Sequence, residues 1–253
     1  MILLLFLSSI LTVAAFIRLV RATGYSFRFI DGYHTLNYSQ LASMIPGGIW
    51  GFAGLGAALW SKGISKADSA LIIVLNTVIM LTACAMVGIT GLAATFGWGF
   101  ALVSLFPFLF LVFGRNRLDR LRKRYLPESS QLPATRAFFE TLLIGIAVWV
   151  IASLCFAWLL FTGTEPGIVP LWTASGAYAA AYLGGYLALF APSGLGVSEG
   201  LVTLLLGPAI GTEKVLSVAI SFRIVHTLVT WGNILLTLIL TYRKMALRSI
   251  NQQ

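Results

Sequence analysis

Long apolar runs separated by short polar stretches dominate the chain. Five of them meet or approach the about 20 residues that a helix needs to cross a bilayer: Met1–Ile17, Ala70–Leu92, Gly97–Phe113, Phe138–Phe161 and Val215–Thr241. Arg18 follows the first run and can reach the interface to extend it. Two more regions are apolar but broken. One runs from Leu36 to Trp60 around Pro46-Gly47-Gly48, the other from Pro170 to Gly207 around Pro192-Ser193-Gly194-Leu195-Gly196. Proline removes a backbone donor and glycine loosens a helix, so each region is expected to be two helical pieces meeting at a bend.

Composition agrees with a membrane chain. Of 253 residues, 58% are hydrophobic and 10% charged, with a mean hydropathy of +0.92. A soluble domain carries about a quarter charged residues. The net charge of +9 sits in short stretches beside the apolar runs, a pattern of membrane orientation rather than of nucleic-acid binding. Cys84 and Cys155 lie inside apolar runs without Cys/His spacing and read as buried small hydrophobes. Two distant histidines, His34 and His226, supply no metal site, and no cofactor is expected. The first run is not a secretory signal, because Arg18, Arg21 and Arg28 follow it instead of preceding it.

The basic residues decide between topologies. If both broken regions enter and leave on one side, segments 18–36, 61–69, 114–137 and 242–253 share a side and hold three, two, seven and three Lys/Arg. The other side holds Lys214, and Arg223 lies inside a span. The positive-inside rule then favours two re-entrant hairpins, or two segments that both cross an even number of times, with the N-terminus outside and the C-terminus cytoplasmic. The expected location is a cell inner (plasma) membrane. The basic run from Arg115 to Arg124 is a topology anchor that can rest on anionic headgroups. Trp60, Trp98 and Trp172 fall near the expected interfaces.

An offset of 146 residues superposes the two broken regions. Leu41, Ala42, Pro46, Gly48, Gly54, Leu55, Leu59 and Ile64 fall on Leu187, Ala188, Pro192, Gly194, Gly200, Leu201, Leu205 and Ile210, eight identities in 24 ungapped positions. Shared membrane composition alone would seldom align Pro, Gly and the following span in one order. Because the hairpins enter from opposite sides, the repeat is inverted. Discontinuous helices in inverted repeats are a transporter device for placing a substrate site near the midplane. The expected fold is thus all-α and polytopic, one transmembrane domain over 1–253. Repeat 1 covers about 36–92, a basic loop 114–137, and repeat 2 about 170–241.

A helix starting after each break aims free N–H groups and a positive dipole end at the bend, which suits an anion such as a lipid phosphate. The plainer reading is that the bends shape packing. The candidate substrate-binding set is Pro46, Gly47, Gly48, Pro192, Gly194, Gly196, Glu199 and Arg223. Glu199 and Arg223 are charges at membrane depth; they can serve as headgroup contact or gate, or form a static ion pair. His226 lies three residues beyond Arg223, on the same helix face. Gly196-Val197-Ser198-Glu199-Gly200 is also a literal G-x-S-x-G. It denotes a nucleophile elbow only in a strand–turn–helix context.

Ile45-Pro-Gly-Gly-Ile-Trp-Gly51, Lys62-Gly-Ile-Ser65 and Ala191-Pro-Ser-Gly-Leu-Gly-Val-Ser-Glu-Gly200 resemble the lysylphosphatidylglycerol synthase transmembrane-region family. That family includes the flippase portion of bacterial aminoacyl-phosphatidylglycerol synthases. Its late signature is similar to P-G-G-x-G-x-R-E followed one helix later by Arg, matched here by Pro192, Gly194, Gly196, Glu199 and Arg223. Ser193 stands in place of a usual Gly, Ser198 in place of a usual basic residue, and Asn76 where charged residues are common. Members usually begin with one more helix, whose lack fits an outside N-terminus.

The resemblance implies a flippase-like transporter of a phosphate-bearing lipid or lipid-linked substrate, without the aminoacyl-transferase domain and hence not an enzyme. Its partner is a membrane phospholipid, with self-association into a homo-oligomer left open. An intramembrane enzyme on a lipid-linked substrate and a non-transporting partner subunit are the alternatives. No P-loop is present, so ATP use by this chain is not expected.

Overall fold

Four of the five apolar runs become long helices, and the punctuating residues end them. In the computed structural model, residues 1–45, 49–109, 113–114, 120, 132–162, 168–188 and 191–250 are described. The chain is an all-α polytopic membrane protein. Its helices are α1 (Ile2–Ala22), α2 (Phe29–Ser43), α3 (Trp50–Trp60), α4 (Lys66–Phe96), α5 (Thr135–Phe161), α6 (Leu171–Leu187), α7 (Val197–Ile210) and α8 (Thr212–Ile250).

Four of the five expected spans are long and apolar enough to cross a bilayer: Ile2–Ala22, Lys66–Ala93, Thr135–Phe161 and Thr212–Tyr242. The structure extends each helix beyond its apolar run into flanking polar residues. Ser65 caps α4 by accepting the Asp68 N–H at 3.0 Å. The run Gly97–Phe113 differs. Gly97, at φ 94°, breaks the chain after α4, and Trp98–Ser104 winds as a 3₁₀ helix before α-helical turns resume at 105–109. Residues 110–112, like most of the basic run 115–124, lie outside the described residues.

The broken regions are helical hairpins. At 1.5 Å per residue, the 15 residues of α2 and 11 of α3 extend only about 22 and 16 Å, short of the about 30 Å hydrocarbon core. The 17 residues of α6 and 14 of α7 reach about 25 and 21 Å. Within the first hairpin Ser39 donates to the Gly51 carbonyl at 2.8 Å, and Gly54 presses against Ala42. In the second, Gly185 presses against Ser198 and Gly184 against Leu201.

The two halves repeat. Helix starts at 50 and 66 recur at 197 and 212, spacings of 147 and 146. Packing repeats with them. As α2 packs on α3, α6 packs on α7, and as α3 packs on α4, α7 packs on α8. The contacts of α4 with α6, of α1 with α2 and of α4 with α5 recur as α8 with α2, α5 with α6 and α8 with α1. The equivalent helices α1 and α5 lie against each other and run antiparallel: Ser8 meets Val148 at one end, and Arg18 meets Glu140 at the other. The repeat is therefore inverted.

These contacts define two ends of the bundle. Arg18, Lys62, Asp68, Arg136 and Glu140 mark the basic end, where the first hairpin opens. At its mouth Asp31 accepts from Arg28 at 3.0 Å and Lys62 at 2.7 Å. Burial pushes the Asp31 carboxyl up, but the two cations outweigh it and hold the pKa at about 2. The second hairpin opens at the opposite end, where Thr173 at the start of α6 lies 3.5 Å from Thr95 near the end of α4.

Small residues let the halves touch. A Cβ at Gly91 would sit 2.5 Å from the Gly176 Cα and 2.5 Å from the Trp172 carbonyl oxygen, and one at Gly88 3.0 Å from the Ala180 nitrogen. In lipid, where apolar burial does not drive helices together, such close backbone packing holds them. Cys84 sits in this seam and donates to the Ala179 carbonyl at 3.2 Å, while Cys155 is buried in the core around Phe156; both thiols are free.

Gly176→Val is expected to lower stability by about 2–3 kcal/mol through overpacking, while Gly99→Ala, which meets open space, is expected to change it little. Thermal unfolding of the detergent-solubilised variants measures both.

Candidate functional site

The second bend is built from left-handed backbone. Ser193 has φ 50°, Gly194 φ 68° and Gly196 φ 80°. Glycine adopts such angles freely and serine does not. The turn passes so close to α6 that a Cβ on Gly194 would lie 2.9 Å from the Gly185 carbonyl carbon and oxygen. Pro192 opens a single 3₁₀ turn ending at Gly194, and Gly196 is the N-cap of α7.

Gly194 is buried within this bend while Ser193, Leu195 and Gly196 are exposed, and in a bilayer backbone groups at such a break must find partners inside the protein. Two charged side chains supply them. The buried Glu199 carboxylate accepts the Gly196 N–H at 2.8 Å through Oε2, the half of a capping box that needs no N-cap side chain. Its Oε1 accepts from Arg223 Nε on α8. Arg223 then reaches past the carboxylate, donating from Nη1 to the Ser193 carbonyl at 3.2 Å and from Nη2 to the Gly194 carbonyl at 3.4 Å. One guanidinium thus holds the carboxylate and two carbonyls of the same turn, a use of its planar fork that Lys cannot copy.

Aromatic packing sets where Arg223 points. Its neighbour Phe222 is fully buried, edge-on to Phe156 at 5.6 Å and to Tyr178 at 5.1 Å; Tyr178 stacks on Phe156 at 4.8 Å. This triad fixes the rotation of α8. Tyr182 is held likewise, 4.6 Å from Trp149, whose indole donates to the Met80 carbonyl at 3.1 Å.

A cavity of about 180 Å³ opens in front of the clamp. Its walls come from three elements of the second repeat and from the end of α2. Ser193, Ser198 and Glu199 stand on one side, Tyr178 and Tyr182 on another, and Arg223, His226, Thr227 and Thr230 on α8. Gln40, Ser43 and Met44, at the bend of the first hairpin, close the last side. Arg223 is the twelfth residue of α8, about 16 Å along it, near half the hydrocarbon thickness. Arg223 keeps a quarter of its side chain exposed, whereas Glu199 keeps a tenth. The cation, rather than the carboxylate, is what the cavity presents.

Of the expected residues, Gly194, Gly196, Glu199 and Arg223 meet in this one network, and the Pro192 backbone enters its turn. Pro46, Gly47 and Gly48 lie outside the described residues. Gln40, Ser43, Tyr178, Tyr182, Thr227 and Thr230 were missed, since single polar groups within apolar helices carry no spacing signal. A helical count from Arg223 would have found Thr227 and Thr230, four and seven residues on. Ser198 and His226 both line the cavity, yet no hydrogen bond joins them among the described residues, and Ser198 Oγ faces Gly185.

The repeat is not symmetric in its chemistry. The offset of 146 places Ala53 and Thr77 opposite Glu199 and Arg223, so the ionic clamp belongs to the second hairpin.

No family model matches the chain, and no curated protein matches it. The site stands on its geometry.

Gly194→Ala is expected to cost about 2 kcal/mol through its positive φ and its contact with Gly185. Ser193→Gly, which relieves a left-handed serine, is expected to leave stability unchanged or slightly raised. Chemical denaturation of the two variants in matched micelles distinguishes them.

Proposed function

We propose that this chain is a flippase-like transporter, moving a phosphate-bearing lipid or lipid-linked substrate past the cavity between its two hairpins. The observation that carries the reading is the Arg223 guanidinium, part-exposed at membrane mid-depth in a cavity walled by both hairpin bends. A cation at this depth is expensive, and a clamp alone could have been buried completely. A lipid phosphate is the anion that a membrane supplies, and the surrounding Gln40, Ser43, Tyr178 and Tyr182 offer hydrogen-bonding side chains for the polar remainder of a headgroup. The inverted arrangement favours transport as well, since rocking one repeat against the other exposes a midplane site to each side in turn. With the basic end on the cytoplasmic side, as the positive-inside rule favours, the first hairpin opens to the cytoplasm and the second to the outside. The resemblance to the lysylphosphatidylglycerol synthase transmembrane region points to the same class of cargo.

An intramembrane hydrolase is the second reading, because Ser198 and His226 line one cavity. The lack of a hydrogen bond between them weighs against it.

In liposomes carrying a fluorescent phospholipid, Arg223→Ala and Glu199→Gln are expected to reduce translocation at least tenfold while the protein still inserts. Ser198→Ala is expected to retain it. Transport at the wild-type rate by both charge variants would overturn the site, and loss of all activity in Ser198→Ala with lipid cleavage by the wild type would favour the hydrolase.

A further inference from the structure

A second group of charges lies outside the cavity, at the basic end, where α1 finishes and α5 begins. Arg18, Arg21 and Arg136 surround a surface groove in which Glu140 is the one carboxylate among the described residues. Glu140 is shared: Arg18 contacts its Oε2, and Arg136 Nε reaches its Oε1 at 2.9 Å. Arg21 is positioned separately, its Nε donating to the Phe27 carbonyl at 2.7 Å. Three cations therefore converge against one anion. The groove is large, about 840 Å³, and its floor is apolar: Ile17, Ala137 and Ile144 descend from the charged rim along the two helices.

The opposite end of the same helix pair has no such character. Residues 2–10 and 151–161 contain no Arg, Lys, Asp or Glu, and Leu5 packs there into the core with Phe156 and Leu160. The two ends are related by the inverted repeat, so a junction closed by apolar packing at one end is an open charged groove at the other.

We infer that this groove is a binding site for one anionic phospholipid, its phosphate held by Arg21 and Arg136 beside the Arg18–Glu140 pair and its acyl chains lying along Ile17 and Ile144. A zwitterionic headgroup brings its own cation toward the arginines and binds less well. Loose attraction to an anionic surface is not confined to one place. A rim of guanidiniums able to grip phosphate oxygens in pairs, above an apolar trough, localises it. The inference is independent of the transport reading, because none of these residues lines the inter-hairpin cavity.

The test is native mass spectrometry and thermal unfolding of the full chain in neutral detergent, titrated with phosphatidylglycerol, phosphatidylcholine or glycerol phosphate. Phosphatidylglycerol is expected to add one retained lipid at the groove, counted apart from any held in the cavity, and raise Tm, phosphatidylcholine to do so at least tenfold more weakly, and glycerol phosphate not at all. The Arg21→Gln, Arg136→Gln double variant keeps the Arg18–Glu140 pair and is expected to lose the retained lipid, while Arg223→Ala keeps it. Equal retention of the two phospholipids, or retention unchanged in the double variant, overturns the site. An equal response to glycerol phosphate overturns the lipid in favour of a free anion. Should the double variant fold poorly, a photo-crosslinking phosphatidylglycerol on the wild type decides: adducts within 14–22 and 134–144 support the groove, and the absence of adducts there contradicts it.

Discussion

The structure turns on a requirement that has no counterpart in water. A chain that reverses direction inside a bilayer leaves carbonyls and N–H groups with no solvent to satisfy them, and each costs several kcal/mol if left alone. The second bend meets this with Glu199 taking an N–H and Arg223 taking two carbonyls, each charge also neutralising the other. Neither residue could be there alone. The carboxylate without the guanidinium is a buried uncompensated charge, and the bend without both is a set of unsatisfied dipoles. The remainder of the second repeat serves this arrangement: Gly194 lets the turn approach α6, and the Phe156–Tyr178–Phe222 cluster holds α8 in rotation.

Clamping the bend and presenting a cation are compatible in one side chain. A guanidinium has five N–H donors, three of which are spent on the turn and the carboxylate. A substrate oxyanion that took the other donors would compete electrostatically with Glu199 for the same charge. Binding would then loosen the pair that fixes the bend, which links occupancy of the cavity to the position of the hairpin. Such coupling needs two arrangements of one element biased by the ligand, and a hairpin held by a single ionic contact is suited to it.

Much of this was legible in the sequence because lipid imposes simple rules. Four apolar runs became spans, and Pro and Gly at 46–48 and 192–196 marked where helices could not continue. Glu199 and Arg223 stood out as charges in apolar surroundings, and the offset of 146 anticipated helix starts that recur within a residue of it. The pattern was silent where the physics depends on a neighbour distant in sequence. Tyr178 and Tyr182 look like any aromatics in a greasy helix until Phe222 and Trp149 are placed against them. Gln40 and Ser43 gain a role only when the second repeat closes over them. Gly97 carried a local signal that hydropathy overrode: its positive φ ends α4 and starts a 3₁₀ segment, where the apolar run 97–113 read as one straight span.

The central claim is that a lipid phosphate occupies the cavity between the bends, and direct occupancy is the sharpest test of it. Ser43 borders that cavity from the first hairpin, and both native thiols are buried, so a Ser43→Cys variant offers one addressable thiol within it. Its labelling by a small water-soluble maleimide in detergent is to be followed with and without a short-chain phosphatidylglycerol or the matching phosphate-free diacylglycerol. The account predicts that the phospholipid slows labelling several-fold, that the diacylglycerol does not, and that Arg223→Ala removes the protection. Labelling slowed equally by both lipids, or by neither, would contradict it.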